Sequence, residues 1–201
     1  MAEDDTLEDC PFCDTLGTDR TIAGPVDINE RLRTTRHFIV IPALGPLVLG
    51  HALAVTREHS SGLLHCSLEV RSDYEAIALQ LRSHCAKQGL SLLEAEHGGP
   101  GQIYRGPCIA HTHIHLLPGW GEYVDAFSET LPTIAVEQLD LCTAYISLRN
   151  AEDIRLHDAS SAPGQQLRRT LAERAGIEVW DWALDAKLDL ITATSGFWRE
   201  S

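Results

Sequence analysis

The chain is short of positive charge: 16 Lys and Arg stand against 29 Asp and Glu, for a formal net charge of −13 at pH 7. It has no Lys/Arg cluster either, which argues against a nucleic-acid polymer or an anionic membrane as partner. A small phosphorylated ligand stays open, because backbone amides and a few imidazoles can hold phosphate locally. Long apolar runs are also missing. No stretch approaches the ~18 uninterrupted apolar residues that mark a membrane span. The opening, MAEDDTLEDC, lacks both the basic segment and the apolar core of a secretory leader. No internal repeat and no low-complexity tract is present. A cytoplasmic location is therefore expected. The six cysteines (10, 13, 66, 85, 108 and 142) read as thiols and metal ligands rather than as a disulfide scaffold.

What is there suits one globular domain. The chain has 201 residues, 44% of them hydrophobic, which is enough for a real core. RTTRHFIVIP (33–42) is apolar and β-branched and predicts a strand, ALGPLVLG (43–50) a loop, and HALAVTREH (51–59) a second strand. SDYEAIALQLRSHCAKQG (72–89) predicts a helix, with Ser72 and Glu75 as capping box and Gly89 as stop. Strands are expected at 90–97 and 108–118, around a Gly-rich turn. Further on, VEQLDLCTAYISLRN suggests a helix leading into a strand, and GQQLRRTLAERAG (164–176) a short helix ended by Gly176. The expected fold class is α+β on an antiparallel sheet. A first unit spans 1–129, and a C-terminal extension, 130–201, packs on the same domain.

The densest signal is HTHIH at 111–115. On a strand, His111, His113 and His115 share one face while Thr112 and Ile114 point away. Alternate Cα atoms lie roughly 6.6 Å apart, so two neighbouring imidazoles could share one metal, but all three on one ion would require a bent strand. A division of labour is the leading reading. A neutral imidazole is a competent nucleophile toward phosphorus. Its neighbours could hydrogen-bond the nonbridging oxygens and protonate the leaving group. His113, with a helper on each side, is the natural attacker. A metal-dependent hydrolase that uses the row as ligands is the alternative.

CPFC places Cys10 and Cys13 at a spacing that lets two thiolates reach one tetrahedral metal; free thiols are the plain alternative. His51 is a candidate for metal, for substrate contact or for a buried structural role. His97, beside the Gly-rich turn, could approach phosphate, but a surface role is the leading reading. Cys66, Cys85 and Cys142 sit in apolar patterns and read as core. Trp180 and Trp182 read as packing of the extension, with base stacking the alternative, and Arg168 and Arg169 as an ion-paired helix face rather than a phosphate clamp.

HTHIHLL, with CPFC near the start, GHALAVTREH, and GPCIAH leading into the triad, resembles the histidine-triad (HIT) superfamily over roughly residues 10–118. EHG (96–98) and QLRR (166–169), or its neighbour Gln165, are similar to a longer bacterial branch. The resemblance implies a HIT-like fold and a nucleotidyl hydrolase or transferase acting on a nucleotide or nucleotide conjugate through a covalent His113 intermediate. It places His115 at the α-phosphate and leaving group, and Gly106, Cys108, Glu96, His97 and His51 around the substrate. A structural zinc held by Cys10, Cys13, His59 and His111 is also implied, and a homodimer is common in the family. Some positions depart from the pattern. Ala43 stands for an acidic ribose ligand, Pro107 and Cys108 for a Gln-Ser pair, and Glu96 for an Asn. Those changes keep open a nucleotide-binding protein without catalysis.

Overall fold

The computed structural model describes residues 10–16, 30–99, 109, 111–140 and 143–199. The sequence's alternating apolar segments become seven strands: β1 (Arg33–Thr34), β2 (Phe38–Pro42), β3 (Ala52–Thr56), β4 (Leu92–Gly98), β5 (His113–Pro118), β6 (Tyr145–Arg149) and β7 (Ile154–Asp158). They form one sheet in the order β1-β2-β3-β5-β4-β6-β7, with every pairing antiparallel. The triad strand β5 is therefore the central strand. Among the described residues four α-helices accompany the sheet: α1 (Pro11–Leu16), α2 (Leu68–Lys87), α3 (Gln166–Arg174) and α4 (Leu188–Arg199).

The pleat sorts these elements into layers. Ile114 and Leu116 of β5 face Tyr74, Ile77 and Leu81 of α2 and Trp198 of α4. On the opposite face, Leu117 joins Leu93, Ala95, Ile146 and Leu148 under Leu167 and Leu171 of α3. A third cluster on β2 and β3, with Ile39, Ile41, Leu53 and Val55, packs against Cys10 and Phe12 at α1. The triad side of β5 thus lies between two apolar clusters, one under α1 and one under α3.

Two elements differ from expectation. The single strand at 33–42 is a hairpin, with Arg33 opposite Val40 and Thr34 opposite Ile39. Asp73 of α2 fixes its turn by accepting from the Thr35 hydroxyl at 2.6 Å and from the His37 amide at 2.8 Å. This is a tertiary partner that a local pattern does not reveal. Helix α2 starts four residues earlier than expected. Its N-cap is Ser67, which accepts from the Val70 amide at 3.4 Å, so Ser72 and Glu75 are helix interior. Glu75 is instead bound through both oxygens by the Arg149 guanidinium of β6.

Of the extension at 130–201, residues 145–158 supply β6 and β7. Segment 132–134 runs along the outer side of β7, where the Ile134 amide donates to the Leu156 carbonyl and the Asp158 amide to the Pro132 carbonyl, both at 2.9 Å. Helix α4 closes the turn before β3. The Trp198 indole donates to the Gly50 carbonyl at 2.8 Å, and the Gly50 amide donates to the Thr194 hydroxyl at 3.1 Å. Gly50 has φ +83°, and a Cβ there would meet the Phe197 ring at 2.7 Å, so this turn requires glycine. Among the described residues no helix is long and apolar enough to cross a membrane.

Glu94 and Glu96 point to the α2 face. Glu94 accepts from the Tyr74 hydroxyl and from Arg82 Nε; Glu96 accepts from the Leu63 amide and the Tyr145 hydroxyl, both at 2.7 Å. Burial pushes the Glu96 carboxyl up to about 7, against the two hydrogen bonds that hold it down. Between pH 4.5 and 7 the unfolded chain gives up this proton first, so stability falls with rising pH by ~3 kcal/mol. Glu96→Gln is expected to flatten that slope, measured by urea unfolding at pH 5 and pH 8. A slope equal to that of the parent protein would show that Glu96 is not its source.

Candidate functional site

Helix α1 brings the cysteine pair beside the start of β5. The Cys10 thiol lies 3.3 Å from Nδ1 of His111, and the Cys13 thiol lies 3.4 Å from Nδ1 of His59 and 3.5 Å from Nδ1 of His111. All four ligand atoms fall within 4.8 Å of one another. Two metal–sulfur bonds of ~2.3 Å and two metal–nitrogen bonds of ~2.05 Å at tetrahedral angles separate sulfur from nitrogen by about 3.6 Å. The donor set therefore fits a four-coordinate metal ion. Nε2–H of His111 donates to the Thr56 carbonyl at 2.8 Å, which leaves the Nδ1 lone pair directed at the thiols. Burial brings the His111 imidazole down to about 4, so it stands neutral, as a ligand must.

His111 was expected at the substrate as well as at a metal. Both of its ring nitrogens are committed, one to the thiol pair and one to Thr56, so its ring has nothing left for a substrate. Its contribution to the neighbouring chemistry is its backbone. Nδ1–H of His113 donates to the His111 carbonyl at 2.6 Å. The lone pair of His113 is thereby placed on Nε2, and no described residue donates to it. Burial and the charge of Arg168 lower the His113 imidazole from its ordinary value, opposed by the bond to His111. The ring is held edge-on to His115, with centroids 5.3 Å apart, and lies 5.4 Å from Phe12.

His51 and His115 form one wired pair. The Leu47 amide donates to Nδ1 of His51 at 3.0 Å, so the His51 proton is on Nε2. Nε2–H in turn donates to Nδ1 of His115 at 2.9 Å, which puts the His115 proton on its own Nε2. Burial holds both rings well below the usual imidazole range, and the Arg168 charge adds to this. His51 was a candidate for metal or substrate. It is fully buried with both nitrogens engaged, and its effect on any ligand passes through His115.

The remaining expected residues divide by the pleat. Ala95 pairs with His115, so β4 turns Ala95 and His97 toward the triad face and Glu94 and Glu96 away from it. Glu96, expected at the substrate, is thus on the far side of the sheet, held by Leu63 and Tyr145. His97 is on the triad face. Burial and the nearby His113 bring it down to about 4. Gly106 and Cys108, expected at the phosphate, lie outside the described residues, as does Cys142. Cys85 is core, on the buried side of α2, and its thiol is pushed up to about 12 by burial.

One residue was misread. Arg168, expected on an ion-paired helix face, is 7% exposed, and its Nη2 donates to the carbonyls of Gly45 at 2.6 Å and Trp180 at 2.9 Å. Its charge reaches His51, His113 and His115. The Q-x-x-R spacing from Gln165 was the available signal, because it puts Arg168 one turn into α3 on the face shared with Leu167 and Leu171.

The wiring fixes protonation sites that can be read directly. At pH 7, long-range proton–nitrogen spectra of the imidazoles are expected to show His113 as the Nδ1–H form and His51 and His115 as Nε2–H forms. A proton on Nε2 of His113 would remove the lone pair described above.

No protein-family profile and no curated protein matches this chain. Solved structures do. A histidine triad nucleotide-binding protein from Sulfolobus tokodaii, described as hypothetical, is 25% identical over 55% of this chain and 69% of that one, with a TM-score of 0.39. A HIT family member from Bacillus subtilis is 19% identical over 57% and 76%, with a TM-score of 0.42. A HIT family hydrolase from Clostridium thermocellum is 21% identical over 57% and 93%, with a TM-score of 0.40. The names of these three structures carry the histidine-triad or HIT label.

Proposed function

We propose that this chain is a histidine-triad enzyme that cleaves or transfers the nucleotidyl group of a nucleotide conjugate through a covalent intermediate on His113. The observation that carries the reading is the 2.6 Å bond from Nδ1–H of His113 to the His111 carbonyl. It leaves an uncharged imidazole with its lone pair on Nε2, the form that attacks phosphorus. In the first step Nε2 bonds to the α-phosphorus while the bond from phosphorus to the leaving group breaks with its electron pair. Nε2–H of His115 hydrogen-bonds the phosphoryl oxygens as charge builds on them. In the second step water or another acceptor bonds to phosphorus, the P–N pair returns to His113, and the acceptor's proton passes to solvent with the product.

Cys10, Cys13, His59 and His111 would hold zinc, since two thiolates and two imidazoles at tetrahedral spacing suit that ion. With four protein ligands and no open position, the ion's contribution is structural. Held there, it would tie α1 to His111 and so steady the carbonyl that His113 uses. The site lies on one face of a single sheet and suits a small nucleotide ligand.

Mass spectrometry after incubation with a panel of nucleotide conjugates is expected to show a nucleoside monophosphate adduct on His113. His113→Gln is expected to cut turnover by at least ~10³-fold with the fold kept. An adduct elsewhere, or turnover unaffected by the substitution, would end the reading. Cys13→Ser is expected to lose the bound metal. Loss of ~3 kcal/mol of metal-linked stability would lower Tm by roughly 6–12 °C. Metal analysis and a thermal melt check this. A metal-dependent hydrolase would instead lose its chemistry at once on chelation, while the folded protein remained.

A further inference from the structure

Between α3 and the first residue of α4 the chain leaves three apolar side chains in water: Val179 is 47% exposed, Leu184 81% and Leu188 37%. A single exposed leucine is ordinary on a protein surface. Here the backbone that carries them is tied down on both sides of Leu184. Nη2 of Arg168 donates to the Trp180 carbonyl at 2.9 Å, and the Gly45 amide donates to the Ala186 carbonyl at 3.1 Å. Between these ties Asp181 accepts twice, its carboxylate from the Ala183 amide at 3.0 Å and its carbonyl from the Leu184 amide at 3.1 Å. The Asp185 carboxylate accepts from the Lys187 amide at 2.9 Å. Lys187 itself has φ +50°, a left-handed conformation that a non-glycine residue keeps only where its surroundings impose it. Gly45 comes so close that a Cβ on it would lie 2.7 Å from the Trp182 Cα. Apolar groups presented on a fixed frame are ordered before any partner arrives, so binding them costs less entropy.

The charge around these side chains is mostly of one sign. Residues 178–189 carry four carboxylates, Glu178, Asp181, Asp185 and Asp189, against the single ammonium of Lys187. The charge of Asp181 acts on Arg168. Glu178, Asp185 and Asp189 are exposed, and among the described residues none of these three forms an ion pair. Apolar side chains rimmed by carboxylates are complementary to apolar side chains flanked by Lys or Arg. A second copy of the same surface would set carboxylate against carboxylate, and an anionic lipid surface would be repelled in the same way. Half-buried Trp182 adds aromatic area of the kind that anchors protein interfaces.

We propose that residues 178–189 form a docking surface for a basic protein segment. That segment lays apolar side chains on Val179, Leu184 and Leu188, while its Lys or Arg residues meet Glu178, Asp185 and Asp189. The surface is tied through Ala186 to the loop at 43–50, whose Leu47 amide fixes His51. It uses neither His113 nor His115, so it stands independently of the nucleotidyl-transfer reading.

A display library of random peptides, panned against the whole protein with Leu184→Ser as counter-target, tests it. Leu184 is mostly in solvent, so this substitution keeps the fold. Enriched peptides are expected to combine Lys or Arg with apolar residues and to bind Leu184→Ser ~10–100-fold more weakly. The most enriched peptide is expected to move the methyl resonances of Val179, Leu184 and Leu188 and the indole resonance of Trp182. Glu178→Gln combined with Asp189→Asn is expected to weaken it by ~10-fold at low salt, and by less as salt is raised. No enrichment, enriched peptides without basic residues, shifts confined to other parts of the molecule, or unchanged affinity in either variant would overturn the proposal. So would self-association of the parent protein, followed by sedimentation, that Leu184→Ser abolishes, because the surface would then belong to a second copy.

Discussion

The hydrogen bond between Nδ1–H of His113 and the carbonyl of His111 is the contact on which the rest of the site depends. It selects one tautomer of one ring, and it does so with a backbone atom whose position is set by several other contacts. His111 is held from below by the Thr56 carbonyl on β3 and from the side by Cys10 and Cys13 at α1. Those links run through three segments far apart in the sequence: the cysteine pair, the end of β3 and the start of β5. The orientation of His113 is thus a property of the folded sheet and its N-terminal helix rather than of the pentapeptide alone.

The same logic repeats along the strand. Every imidazole of HTHIH has a nitrogen committed to the scaffold: His111 to Thr56, His113 to the His111 carbonyl, and His115 to His51. Because each ring is tied and burial lowers it, each is neutral, and among the described residues the charge of Arg168 bears on His51, His113 and His115 alike. A buried guanidinium acts through a much lower dielectric than solvated carboxylates outside.

Much of this was legible in the sequence because periodicity is a local property. The two-residue alternation of 111–115 announced one face, the C-x-x-C spacing announced a pair of converging thiols, and Gly176, with φ +68°, ends α3 where a glycine stop was read. What escaped notice depended on partners distant in the chain. The hairpin turn at 35–37 is fixed by Asp73, the start of α2 by Ser67 rather than by the equally well-spaced Ser72 and Glu75, and the fate of Glu96 by which neighbour of His115 pairs across the sheet. Glu96 is the instructive case. A shift of one residue on β4 exchanges the ligand face for the α2 face, and nothing in EAEHG tells the two apart. Arg168 escaped for a related reason: a helical arginine looks solvated until the loop that covers it is known.

The edges of the sheet have their own consequence. The side of β4 turned away from β5 is taken by β6, and the outer side of β7 is met by segment 132–134, with Thr133 bridged to His157. At the other margin β1 is only two residues long. Among the described residues neither rim presents a run of free amides and carbonyls on which a neighbouring molecule could template a continuous ribbon. Self-association through the described residues would have to join side-chain surfaces, so its strength should track apolar area and charge, and salt or surface mutation rather than backbone register would tune it.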